Sequence, residues 1–165
     1  LLMQLVNDIL DMSKIEAGTL EFVYSTVDIN LLLSDLQRLF QMRINDAGGK
    51  VQIIAEPSLS SCLIQTDRNR VAQVISNFVG NAIKFTREGN IRIGYEAKDT
   101  ELYFYVKDTG TGIPAEKLSN VFGRFVKLNK DQKGAGLGLS ICLLYTSEAA
   151  DDSRQIERPD RSGFH

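Results

Sequence analysis

Apolar residues recur at alternating three and four spacing over residues 1 to 17, where Leu2, Leu5, Ile9 and Met12 form a stripe widened by Val6 and Leu10, and the run ends at Gly18. That period predicts an amphipathic helix whose apolar face needs a partner. The pattern leaves two partners open: the helix's own domain, or the other half of a coiled-coil or bundle hairpin. The stretch Leu20 to Val27 predicts a short strand. Asp28 is placed to cap a second helix with apolar positions Leu32, Leu33, Leu36, Leu39 and Phe40, which stops at Gly48-Gly49. Two short apolar runs, Val51 to Ala55 and Cys62 to Gln65, flank the turn residues Pro57, Ser58 and Ser60 and predict a strand pair.

Asp67 opens a helix running to about Thr86. Val71, Val74, Ile75, Phe78, Val79 and Ala82 keep helical spacing, while Arg70, Gln73, Asn77, Asn81 and Lys84 fall on the other side. At roughly 100° per residue those five polar side chains share an arc of about 80°. After Gly89, the alternating segments Ile91 to Ala97 and Glu101 to Lys107 are joined by Asp99-Thr100 and predict an antiparallel hairpin. A glycine-rich turn, a polar stretch of about twenty residues and a second glycine cluster at 134 to 138 follow. From Thr146 onward acids and arginines alternate with little apolar content, a composition that predicts disorder.

Composition narrows the function. The 165 residues, 43% hydrophobic and 24% charged, suffice for one domain with a core plus one appended element. A net charge of -2 provides no broad positive field, so no nucleic-acid partner is expected and a negative ligand needs a local pocket. Cys62 and Cys142 have no metal-ligand or disulfide spacing and read as free thiols of a reducing compartment. No apolar run reaches membrane-spanning length, which points to a cytoplasmic domain and leaves open an anchor to the inner membrane elsewhere in a longer parent.

Three places carry candidate chemistry. Asp108 stands at a predicted strand end, followed at once by Thr109, Gly110, Thr111, Gly112, Ile113 and Pro114. Glycines there allow close approach to a flat or anionic ligand, and the carboxylate can accept from an amino group on it. Residues 110 to 115 also match the dinucleotide fingerprint G-x-G-x-x-A, but Arg124 to Gln132 lack the second strand that reading requires. The cluster Gly134-Ala135-Gly136-Leu137-Gly138-Leu139-Ser140-Ile141 turns into an apolar helical start, where exposed amides and the helix dipole make a phosphate site. A flexible loop explains it equally well, and no Lys-Ser or Lys-Thr follows to make a P-loop. On the polar stripe, the Asn81 carbonyl suits a hard cation such as Mg²⁺, and Lys84 suits phosphate oxygens. The alternative is an ordinary solvated helix face.

These stretches resemble one family. DRNRVAQVISNFVGNAIKFT, residues 67 to 86, is similar to the N box of histidine kinases; DTGTGIP resembles their G1 box, VFGRFVKL their F box and GAGLGLSIC their G2 box. LVNDILDMSKIEAGTLEF is similar to the second helix of the dimerisation and phosphotransfer hairpin, and FGRFVKLN resembles hybrid sensor kinases of gut-type bacteria. The resemblance covers roughly residues 1 to 142 and divides the chain into a partial hairpin helix at 1–18, an ATP-binding catalytic domain at 19–145 and a non-native or disordered tail at 146–165.

The resemblance implies an α+β fold, a two-layer α/β sandwich of the Bergerat (GHKL) ATP-binding type with an N-terminal helix from a helical hairpin. It implies ATP and Mg²⁺ as cofactors and transfer of the γ-phosphoryl group to a histidine in two-component signalling. Asp108 would receive the adenine amino group, with Gly110, Gly112 and Ile113 shaping that pocket. Asn81 would ligate the Mg²⁺ on the phosphates, Lys84 would contact phosphate oxygens, and Asn77 would support that face. Gly134, Gly136, Leu137 and Gly138 would form the closing lid, while Arg124 or Lys127 would reach the γ-phosphate. Implied partners are a second copy of the kinase through the hairpin, as a homodimer, and a response regulator or receiver domain.

The chain departs from the family twice. Its one histidine, His165, lacks helical context, so the acceptor histidine is expected upstream of residue 1 and the fragment is expected to be inactive alone. After Cys142 the family adds two strands, whereas LLYTSEAADDSRQIERPDRSGFH is similar to translated adapter sequence, so the C-terminal strands are expected to be missing. Two other readings compete: an ATPase of the chaperone or topoisomerase type, and a nucleotide-binding module without activity. The ATPases place a glutamate four residues before the metal-binding asparagine, as a base for water. Here that position is Asn77, and an amide cannot act as that base.

Overall fold

The computed structural model describes residues 9–11, 13–14, 17–98 and 101–113. Along the chain these form β1 (Ser25–Asp28), α1 (Ile29–Asp46), β2 (Lys50–Glu56), β3 (Leu63–Thr66), α2 (Arg68–Phe85), β4 (Glu88–Lys98) and β5 (Glu101–Asp108). Both long helices start on an aspartate. Asp28 Oδ1 accepts from Leu31 N at 3.1 Å, and Asp67 Oδ1 accepts from Asn69 N at 2.9 Å and Arg70 N at 3.1 Å. Each cap satisfies N–H groups that the first helical turn leaves without a partner. α1 ends as expected before Gly48, which takes the left-handed φ of 68°.

The strands form a three-stranded sheet in the order β2-β4-β5 and a separate ribbon of β1 and β3. β4 and β5 are antiparallel, with Ile91 opposite Asp108 and Lys98 opposite Glu101, so the hairpin read from the alternation is present. Two expectations are corrected. The runs around Val51 and Cys62 are both strands but do not pair with each other: β2 runs parallel to β4, and β3 runs antiparallel to β1. A parallel pair requires a crossover, and the chain supplies one through β3 and α2. The strand expected over residues 20 to 27 is limited to Ser25–Asp28, because the Val23 amide donates to Asp67 Oδ2 at 2.9 Å and not to a neighbouring strand. The predicted helix over residues 1 to 17 falls mostly outside the described residues; residues 9–11, 13 and 14 within it are helical.

The core lies between the helices and one face of the sheet. α1 contributes Ile29, Leu32, Leu33, Leu36, Phe40 and Ile44, and α2 contributes Ile75, Val79 and Ala82. Val51 and Ile53 of β2 and Ile91, Ile93 and Tyr95 of β4 meet them, the period of two placing alternate side chains on the covered face. Burying each large side chain contributes about 1.5–3 kcal/mol. This is the α+β, two-layer α/β arrangement. Leu39, read as a core position, is 38% exposed because it sits one residue off the stripe formed by Leu36 and Phe40. Tyr95 is 1% exposed and its hydroxyl donates to Asn30 Oδ1 at 2.8 Å, which keeps a buried polar group satisfied. Burial, with the Cys62 thiol beside it as the next cause, raises its pKa above the ordinary 10.0.

Candidate functional site

The turn after β5 is tied down on two sides. Gly110 N donates to Asp108 Oδ1 at 2.8 Å, an aspartate accepting from the backbone two residues on. Thr109 N donates to Asn90 O at 3.2 Å, and Asn90 N donates to Thr109 Oγ1 at 3.1 Å, which fixes the turn to β4. Thr111 N donates to Phe85 O at 3.2 Å, which fixes it to the end of α2. Asp108 therefore stands, exposed, at the strand end beside the last turn of α2.

The two glycines of this turn have different causes. A Cβ on Gly110 would lie 2.5 Å from Phe85 O and 2.8 Å from both Asp108 Oδ1 and Thr86 Oγ1. Only a residue without a side chain crosses the helix end this closely. Gly112 has open space around it but takes a φ of 68°, so its constraint is conformational. Ile113, the last described residue, is 41% exposed.

The polar stripe on α2 divides into two parts. Its first part is occupied by protein: Arg70 Nη1 donates to Asp11 Oδ2 at 2.9 Å and to Gln73 Oε1 at 3.1 Å, and Gln73 Nε2 donates to the same Asp11 oxygen at 3.1 Å. Asn77 is half-buried in the middle of the stripe. In the second part, the half-buried Asn81 and the exposed Lys84 have no side-chain hydrogen bond or ion pair among the described residues. Lys84 lies in the last turn of α2, where the helix dipole favours a cation, and it forms no ion pair among the described residues. Asn81 precedes Phe85 by one turn, about 6 Å along the axis.

Chemically, the last turns of α2 carry an amide and an ammonium, and the turn bonded to the helix end carries a carboxylate with one oxygen unpartnered among the described residues. No group of three or more His, Cys, Asp or Glu side chains among the described residues could hold a metal ion by itself. A single amide oxygen fits a cation that arrives with most of its ligands on the phosphates it accompanies. Arg124, Lys127, Gly134, Gly136, Leu137 and Gly138 lie outside the described residues.

Two participants were not legible in the sequence. Asp11 reads only as a polar break in an apolar stripe, and its contact with Arg70 spans 59 residues. Thr86 reads as the residue after a helix; it is 4% exposed and its hydroxyl has no hydrogen-bond partner among the described residues.

The described residues thus form a helix layer over a mixed sheet, with an acid at a strand end against the end of a polar-striped helix. A family model described as "Histidine kinase-, DNA gyrase B-, and HSP90-like ATPase" matches residues 66–164, and the chain belongs to this family. Hybrid signal transduction histidine kinase L of Dictyostelium discoideum is 35% identical over 150 residues, covering 86% of this chain and 9% of the relative. Aerobic respiration control sensor protein ArcB of Escherichia coli (strain K12) is 32% identical over 143 residues, covering 82% of this chain and 18% of the relative. Full-length ShkA, solved in complex with AMPPNP, superimposes with a TM-score of 0.77 at 32% identity over 90% of this chain and 31% of that one. The chain thus spans less than a fifth of the length of either curated relative.

Proposed function

We propose that the chain is the ATP-binding catalytic region of a sensor protein histidine kinase, which transfers the γ-phosphoryl group of ATP to a histidine on another helix. The observation that carries this reading is the placement of Asn81 and Lys84, without side-chain partners among the described residues, on the last turns of the helix whose end holds the Asp108 turn. In this reading Asp108 accepts from the adenine amino group, and Gly110, Gly112 and Ile113 border the base. Lys84 neutralises phosphate oxygens, Asn81 holds the Mg²⁺ that accompanies them, and Asn77 supports the same face. When bound, the cation supplies charge neutralisation at the phosphates. Arg124 or Lys127 reaches the γ-phosphate, and Gly134, Gly136, Leu137 and Gly138 close over it. Phosphoryl transfer needs little more than such positioning and charge neutralisation, so no nucleophile is required of this domain.

The proposed partners are a second copy through the N-terminal helix and a receiver domain that takes the phosphoryl group onward. The likeness to hybrid kinases supports the latter. No helix among the described residues is long and apolar enough to cross a membrane. The ATPase reading is less favoured because Asn77 stands where a carboxylate base would be needed.

The test supplies the full chain with Mg-ATP labelled at the γ-phosphate and, as a separate protein, a hairpin bearing the acceptor histidine. Labelled phosphohistidine on the hairpin is expected, with none on the chain alone. Steady release of inorganic phosphate without hairpin labelling would instead support the ATPase reading.

A further inference from the structure

The strongest unexplained feature among the described residues is the Thr86 hydroxyl. Thr86 is the residue on which α2 ends, and its backbone N–H donates to Ala82 O. Thr86 is 4% exposed and its Oγ1 has no hydrogen-bond partner among the described residues. A buried hydroxyl without a partner is unfavourable by an amount comparable to a lost hydrogen bond, so its retention calls for a state in which it is satisfied.

The geometry indicates which group satisfies it. Thr86 Oγ1 and Asp108 Oδ1 both lie 2.8 Å from one point, the place a Cβ on Gly110 would occupy. The hydroxyl and the carboxylate oxygen therefore border the same space that Gly110 leaves open, at most twice 2.8 Å apart. Asp108 Oδ1 now accepts from Gly110 N, and its other oxygen has no partner among the described residues.

We infer that Thr86 is a positioning residue for Asp108: in the nucleotide-bound state its hydroxyl donates to Oδ1 and holds the carboxylate with Oδ2 turned toward the exocyclic amino group of the base. This rests on the proposed nucleotide site and adds to it a determinant of base specificity. With two donors on Oδ1, the acceptor capacity left lies mainly on Oδ2, which suits a ligand donor. A base without the amino group gains nothing from that orientation. Thr86 therefore contributes to preference for the amino group and not to affinity for the sugar or phosphates.

The experiment measures calorimetric affinities of the full chain for ADP and for purine riboside diphosphate, which lacks the 6-amino group. Thr86→Val removes the hydroxyl at nearly constant shape, Thr86→Ser keeps it, and Thr86→Ala provides a second deletion should the valine variant not fold. The unsubstituted chain is expected to prefer ADP. Thr86→Val or Thr86→Ala is expected to narrow that preference by about three- to tenfold, through weaker ADP binding with the amino-less analogue unchanged, and Thr86→Ser to restore it. Equal weakening toward both nucleotides, or no change toward either, would overturn the inference while leaving the site reading intact. Failure of the unsubstituted chain to bind either nucleotide would remove the site reading and this inference with it.

Discussion

The backbone amide of Thr111 donates to the carbonyl of Phe85 at 3.2 Å, joining the turn after β5 to the last residue of α2. That bond brings together two parts of the sequence that carry unrelated patterns, a helical polar stripe and a glycine-rich strand end. The consequence is that the Asp108 turn is bonded to the end of the helix whose last turns carry Asn81 and Lys84.

Gly110 is what allows this approach. Gly110→Ala places a methyl 2.5 Å from Phe85 O, a backbone atom that cannot move without displacing the helix end. The expected loss is about 1–3 kcal/mol of stability, read as a lower urea midpoint at unchanged slope. Gly112→Ala meets no atom within 4 Å and is expected to cost about 1 kcal/mol through its backbone conformation alone.

Asp67 is 6% exposed and accepts from three backbone amides, those of Val23, Asn69 and Arg70. It starts α2 and anchors the segment that leads in from the N-terminal helix. Asp67→Ala is expected to cost about 2–3 kcal/mol, more than a cap alone, because the Val23 amide also loses its acceptor. Hydrogen exchange is expected to show faster exchange at Val23 as well as at Asn69 and Arg70.

Asp11 and Arg70 form an ion pair at 2.9 Å with side chains 14% and 22% exposed. A double-mutant cycle with Asp11→Ala and Arg70→Ala is expected to return a coupling of about 1 kcal/mol, above the few tenths typical of exposed pairs. A zero coupling would show that the N-terminal residues do not rest on α2 in solution.

Tyr95 carries a pH dependence. Its pKa in the fold is raised above 10.0, so the folded state keeps the phenol proton more tightly than the unfolded chain does. Its contribution is fully present below pH about 10 and is lost as pH rises through the folded value. Thermal melts of the unsubstituted chain are expected to fall steeply above that pH. Tyr95→Phe is expected to fall less steeply, after an initial loss from stranding Asn30.

Much of this fold was legible in the residues themselves. Asp28 and Asp67 mark their helices because a cap depends on local chemistry, and the hairpin from Ile91 to Lys107 is visible because alternation and turn lie together in sequence. The partners of β2 were not legible. Pro57, Ser58 and Ser60 imitate a hairpin turn, while the true partner, β4, lies beyond β3 and α2. Asp108 stands out as a candidate by its place between a strand and glycines. The division of the α2 stripe does not, since one side of it is decided by Asp11, 59 residues away. Thr86 stands out only in the fold, through its burial, its unpartnered hydroxyl and its closeness to the Gly110 turn.

Calorimetric titration of the full chain with ATP, with and without Mg²⁺, tests the central claim most directly when repeated on Asp108→Asn and Asn81→Ala. Saturable, Mg²⁺-dependent binding is predicted for the unsubstituted chain, binding at least tenfold weaker for Asp108→Asn, and binding indifferent to Mg²⁺ for Asn81→Ala. Unchanged affinity in Asp108→Asn, or no heat at millimolar ATP in the unsubstituted chain, would contradict the account.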